Sequence, residues 1–383
     1  MNRISNVLKK YFMHGIFVGM LAILLLRTGG TTTLALALTC GQWNVIPSPN
    51  GPGPVGVLSA VTVVSPNDVW AVGYNQGNGS FTTLVEHWDG TQWSVVPSPS
   101  PGSQYNVLFG VAAISTSDVW AVGYFSTSGD LQQTLIEHWD GSSWSVVASP
   151  NVGSDDPLYA VTAVSTDDVW AVGFNNSNNG GSLIEHWDGT QWSVVPGPKL
   201  HSVSLDGVAA VSSNDVWAVG DYGRLTRKPV VEHWDGTQWS VVKSPVPHGY
   251  SGLNAVEASG KSTLWAVGYY TSNSGLLQTL IERGKGNSWS IVPSPNPAGG
   301  DDLLAGVSSV PGSHILWAVG WTDTQTLIER WNGNTWKAVP SPSPGANGNG
   351  LRAVAASSAH NVWAVGSFNP SSQPEQTLTE FYC

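Results

Sequence analysis

Several groups of side chains in this chain have types and spacings that suit chemistry. Two carboxylate pairs, Asp155-Asp156 and Asp301-Asp302, offer oxygen ligands to Ca²⁺ or acceptors to sugar hydroxyls. A Ca²⁺ site needs six or more oxygens, so solvated loop charges are the competing reading. One basic cluster, Arg224, Arg227 and Lys228, can meet an acidic group. Tyr222, Tyr269, Tyr270 and Trp321 can stack on sugar rings. Glu-His pairs recur at 86–87, 137–138, 185–186 and 232–233 and have the residue types of metal sites. Metal ligands must share one coordination shell, whereas these four pairs sit at equivalent places in successive repeats. They read as structural residues, and no catalytic or metal-ligating set is expected.

The repeats are what position all of these groups. VWAVG stands at 69–73, 119–123, 169–173, 216–220 and 362–366, and LWAVG at 264–268 and 316–320. The intervals between their tryptophans are 50, 50, 47, 48, 52 and 46 residues, the period of a propeller blade. Residues 158–198 illustrate one unit. Segment 158–164 is a strand, 165–168 a turn with side chains suited to Asx bonding, 169–174 a second strand and 175–181 a loop. A third strand, 182–187, turns at Asp188-Gly189 into a fourth, 191–195. Asp68, Asp118, Asp168 and Asp215 read as residues of the first turn. The chain therefore predicts an all-β, seven-bladed β-propeller of four-stranded antiparallel blades.

Six blades are continuous. The seventh is divided: 377–383 lacks a fourth strand and 40–47 lacks a third, so the N-terminal strand should complete the C-terminal blade (350–383 plus 40–48). The two cysteines, Cys40 and Cys383, then flank the broken turn, and a disulfide between them is expected. Free thiols or a lipidated Cys40 are the alternatives.

Residues 1–37 read as an export signal, with a basic start, an apolar stretch over 11–26 and an Ala-x-Ala site before a cut after Ala37. An uncleaved anchor is the alternative. Residues 38–383 are expected to form one monomeric propeller, secreted or held on the outer face of a membrane. The formal net charge of −11 and only 15 Lys and Arg argue against nucleic acid and anionic lipid as partners.

The blade pattern resembles kelch and galactose-oxidase-like propellers in length and closing strand. It is also similar to bacterial exported proteins with tandem WAVG and HWDGTxW repeats, a group that implies no biochemical role. Function is expected where blades differ: the loops 75–81, 125–133, 175–181, 221–229, 270–278, 322–325 and 367–376, which share one face with the blade connections. The resulting expectation is a recognition module that binds glycan or extracellular protein through Asp155, Asp156, Asp301, Asp302, Tyr222, Arg224, Tyr270 and Trp321, with no cofactor beyond optional Ca²⁺. A polysaccharide-active enzyme and a structural surface scaffold are the alternatives.

Overall fold

The WAVG segments are apolar without alternation, which suits a strand covered on both faces. The computed structural model describes residues 24–25, 34–35, 38–126, 131–177, 180–297 and 299–383, and in it Val69, Trp70, Ala71 and Val72 are all buried. Two units separate at residue 39. In the first, Leu24–Leu25 pairs antiparallel with Leu34–Ala35. The rest of the expected export signal, with its cut after Ala37, lies outside the described residues. The second unit is a ring of seven four-stranded antiparallel sheets.

Blade 1 comprises Val55–Ser65, Asp68–Gly77, Ser80–Trp88 and Trp93–Val95. Blades 2 to 6 follow over 105–146, 158–194, 203–242, 251–291 and 303–338. Blade 7 joins Asn349–Ser358, Asn361–Phe368 and Gln376–Tyr382 to the N-terminal strand Trp43–Val45. Trp43 pairs with Tyr382, and Cys40 and Cys383 form a disulfide across the seam with Cα atoms 4.7 Å apart.

The apolar core lies between blades. Trp70 and Val72 of blade 1 pack with Leu108, Val119 and Trp144 of blade 2. The same contact closes the ring, where Trp363 of blade 7 meets Trp93 of blade 1 edge-on at 5.1 Å. A glutamate of the third strand is sealed into each interface: Glu86, Glu137, Glu185, Glu232, Glu282, Glu329 and Glu380 are all fully buried. Burial pushes the carboxyls of Glu137, Glu185, Glu232 and Glu329 up to about 8 and those of Glu86 and Glu380 well above the usual range, so they are held as neutral acids.

Three local expectations need correction. Asp68, Asp118, Asp168 and Asp215 are not turn-capping residues: each accepts a hydrogen bond from the histidine across the sheet, as in His186 Nε2 to Asp168 Oδ1 at 2.8 Å. That imidazole lies on the WAVG tryptophan, with ring centroids 4.2 Å apart for His186 and Trp170. Blades 5 and 6 lack this aspartate and place Arg283 and Arg330 over Trp265 and Trp317 instead. The Asp-Gly turn is a four-residue loop in which Asp188 Oδ1 accepts from Thr190 N, Thr190 Oγ1 and Gln191 N. Finally, 75–81 is no open loop: Asn78 and Gly79, at φ 52° and 82°, close a tight hairpin with strands on both sides.

Candidate functional site

The first strand of every blade lines a central channel of about 530 Å³. Its sequence holds a second repeated phrase, Leu-x-Ala/Gly-Val: Leu58-Ser59-Ala60-Val61, Leu108-Phe109-Gly110-Val111, Leu158-Tyr159-Ala160-Val161, Leu205-Asp206-Gly207-Val208, Leu253-Asn254-Ala255-Val256, Leu304-Ala305-Gly306-Val307 and Leu351-Arg352-Ala353-Val354. Strict alternation cannot bury both the Leu and the Val three places on. The strand inserts a bulge instead: Leu58 pairs with Gly73 and Ala60 with Val72, leaving Ser59 unpaired, and the same shift recurs in all seven blades. A bulge re-aims one side chain. Here it re-aims residue x, so Ser59, Phe109, Tyr159, Asp206, Asn254, Ala305 and Arg352 form a ring on the channel wall.

Two small residues make the bulge fit. A Cβ on the WAVG glycine would meet the carbonyl oxygen of the residue before the leucine, at 2.0 Å for Gly73 and Val57 and 1.9 Å for Gly220 and Ser204. A Cβ on Gly207 would stand 2.8 Å from the Ala255 Cα of the next blade, so the Ala/Gly position lets first strands close around the channel. The scaffold of the ring is thus constant, while its channel-facing member differs in every blade.

Charge and aromatic character are unevenly spread around the ring. Phe109 and Tyr159 meet edge-on, centroids 5.4 Å apart. Asp206 accepts from Ser204 Oγ at 2.8 Å, and burial pushes its carboxyl up to about 7, with the Asp221 charge adding to the rise. Burial, aided by Asp206, pushes the Tyr159 phenol up to about 12. Asn254 Nδ2 donates to the Leu304 carbonyl at 2.7 Å. One step further along the channel, Glu257 accepts from Ser309 N and Oγ of the next blade, and burial raises its carboxyl. Arg352 stands exposed in blade 7. Among the described residues the arginine–carboxylate ion pair is Arg227–Asp221, at 2.5 Å, which leaves the Arg352 guanidinium uncommitted.

The ring lies near the face that carries the blade connections, and two pockets flank it there. One, between blades 3 and 4, is lined by Phe174, Asn176, Ser202, Ser204, Arg224 and Arg227. The other, in blades 6 and 7, is lined by Trp321, Asp323, Arg352, Ser367 and Glu375. Of the sequence-predicted residues, Arg224 and Trp321 line these two pockets. Tyr222 and Tyr270 pack against interblade core, and Tyr270 Oη donates to Gln278 Oε1.

The aspartate pairs lie elsewhere and clamp backbone. Asp155 Oδ1 accepts from Gln132 N and Asp301 Oδ1 from Leu277 N, each at the start of the preceding blade's third strand. Asp156 is buried and accepts from Val152 N and Gly153 N at 2.7 and 2.8 Å. Asp302 is also buried and its N donates to the Leu277 carbonyl. Among the described residues no cluster of three or more His, Cys, Asp or Glu could hold a metal. The ring residues Ser59, Phe109, Tyr159, Asp206, Asn254, Ala305 and Arg352 are the ones sequence reading passed over; the Leu-x-Ala/Gly-Val phrase is the signal that marks them.

No protein-family model and no curated protein matches the chain in sequence. Solved structures match in fold. YCF48 bound to D1 peptide superposes with a TM-score of 0.58 at 14% identity, covering 91% of this chain and 99% of that one. YCF48 from Cyanidioschyzon merolae gives 0.57 at 15% identity, covering 89% and 99%. The GH74 xyloglucanase from Xanthomonas campestris gives 0.55 at 13% identity, covering 88% of this chain and 55% of the enzyme. These named matches are YCF48 and GH74 propellers, so the likeness is to the propeller architecture and not to kelch proteins in particular. At these identities it is a likeness of fold alone.

Proposed function

We propose that this protein is a non-catalytic recognition module, acting outside the cytoplasm, that holds a segment of a protein partner across the mouth of its channel. One observation carries this reading: all seven blades keep Leu, Ala/Gly and Val fixed in the first strand and vary the residue that each bulge turns to the channel. Residues needed only for the scaffold have no reason to vary in that pattern, whereas a composite surface built from seven different side chains does. The flanking pockets, with Arg224 and Phe174 on one side and Trp321 and Arg352 on the other, extend that surface. A propeller of the same fold is known bound to a peptide, which makes a peptide the first ligand class to try. The seam disulfide suits an oxidising compartment.

The test is retention on arrays of peptides and of glycans, read for the natural protein and for a variant whose ring is evened out with residues the chain itself uses there (Phe109→Ser, Tyr159→Ser, Asp206→Asn, Arg352→Ala). Peptides held by the natural protein and lost by the variant support the proposal. Retention unchanged in the variant, or of glycans only, overturns it.

A further inference from the structure

Four neighbouring blades make one sector of the channel unlike the rest. Blades 2 and 3 contribute the aromatic rings of Phe109 and Tyr159, and blades 4 and 5 contribute Asp206, Asn254 and Glu257. The acceptors face the channel with capacity to spare. Among the described residues Asp206 has one hydrogen bond, from Ser204 to Oδ1, so Oδ2 is without a partner. Glu257 uses Oε1 for both bonds to Ser309 and leaves Oε2 without one. Asn254 donates from its amide nitrogen to the Leu304 carbonyl and leaves Oδ1 as an acceptor. Unused acceptors beside aromatic faces, on a half-buried channel wall, suit a cation, which takes hydrogen bonds and charge from the carboxylates and attraction from the rings. The nearby cation Arg227 is already paired with Asp221, and Arg352 belongs to blade 7.

We infer that this sector is a binding site for an organic cation, a guanidinium or ammonium group projecting from the bound segment into the channel between Tyr159 and Asp206. The inference rests on the channel mouth being the recognition surface and adds the chemistry of the partner. It also fits a chain of net charge −11. The groups facing Asp206 are Ser204, Tyr159, Asp221, Arg227 and, from blade 5, Tyr269, and Ser309 faces Glu257. Because the Asp206 carboxyl is held up to about 7, a cation should bind better as pH rises through that value.

The probe is N-acetyl-arginine amide against its neutral isostere N-acetyl-citrulline amide, titrated into the intact protein by NMR. The expected result is binding of the arginine compound about tenfold or more tighter than that of the citrulline compound at pH 8.5, weakening about tenfold or more by pH 5.5 as Asp206 takes up its proton. Asp206→Asn and Tyr159→Ser should each weaken it about tenfold, while Lys337→Ala, on the exposed outer strand of blade 6, leaves it undiminished. Both sector variants copy residues found at the same ring position in this chain, Asn254 and Ser59, so folding should be kept. Equal affinity for the two compounds, or arginine binding indifferent to Asp206→Asn, overturns the inference. If peptides are nonetheless held at the mouth regardless of their charge, the recognition proposal stands and the cation site alone falls.

Discussion

Raising the pH should loosen this propeller, and Glu232 is the place to measure it. Its carboxyl is fully buried, burial is the single cause of its shift, and neither oxygen has a hydrogen-bond partner among the described residues. In the fold its pKa rises to about 8 from an ordinary 4.5. A carboxyl whose folded pKa lies above its unfolded value contributes stability in full below pH 4.5, and loses it as pH rises through about 8. At about 1.4 kcal/mol per unit, ionising this one group inside the fold costs on the order of 5 kcal/mol, an upper figure because local opening or water entry relieves part of it. Glu232→Gln keeps the shape and removes the titration. Denaturant unfolding at pH 5, 7 and 9 should show the natural protein falling steadily in stability, with six more buried glutamates adding to the slope. The Gln variant should match it within about 1 kcal/mol at pH 5 and exceed it by several kcal/mol at pH 9. A natural protein as stable at pH 9 as at pH 5, or a Gln variant with an unchanged pH slope, would refute the claim that these carboxyls are buried as neutral acids.

Opening the seam should be costly. The disulfide joins residues 343 apart, and removing it with Cys383→Ser should lower stability by about 5 kcal/mol in the chain-entropy account, read as a shift in urea midpoint that reductant reproduces in the natural protein. Gly220→Ala sets a Cβ 1.9 Å from the Ser204 carbonyl oxygen and should expel the bulge that aims Asp206; loss of cooperative unfolding is expected, whereas a folded, equally stable variant would remove the reason given for that glycine. Asp168→Ala leaves both His186 and the Trp170 indole N–H without their shared acceptor, with the imidazole still stacked on Trp170. A loss of about 1 kcal/mol in thermal unfolding is expected, with no change in peptide binding.

Much of the architecture is legible because it rests on residues that do one job in every blade. Trp70 and its six equivalents announce the period, the Glu-His-Trp-Asp-Gly phrase locates the third strand and its turn, and the half-blades at 40–47 and 377–383 reveal the divided seventh sheet. The errors come where a residue's partner lies on another strand. Asp168 stands beside a turn in sequence, yet its side chain reaches His186 across the sheet. The swap in blades 5 and 6, where aspartate and histidine vanish together and arginine takes over, carries that pairing in the sequence. Asp156 and Asp302 look exposed beside exposed Asp301, but they occupy the position at which Asn106 and Asn349 hold the blade connection to the strand before it. The channel ring is hidden for a different reason. A bulge breaks the period-2 pattern on which strand reading depends, so Asp206 and Arg352 fall out of phase with the strand and read as ordinary surface positions.

The most direct test of the account is a footprint. Amide hydrogen exchange of the protein with and without a peptide selected from the array shows where the partner sits. Slowed exchange concentrated in the first strands around Tyr159, Asp206 and Arg352 and at the rims of the two flanking pockets is the predicted result. Protection confined to the opposite face, at the turns that carry Asp188-Gly189 and its equivalents, or to the outer fourth strands, would contradict it.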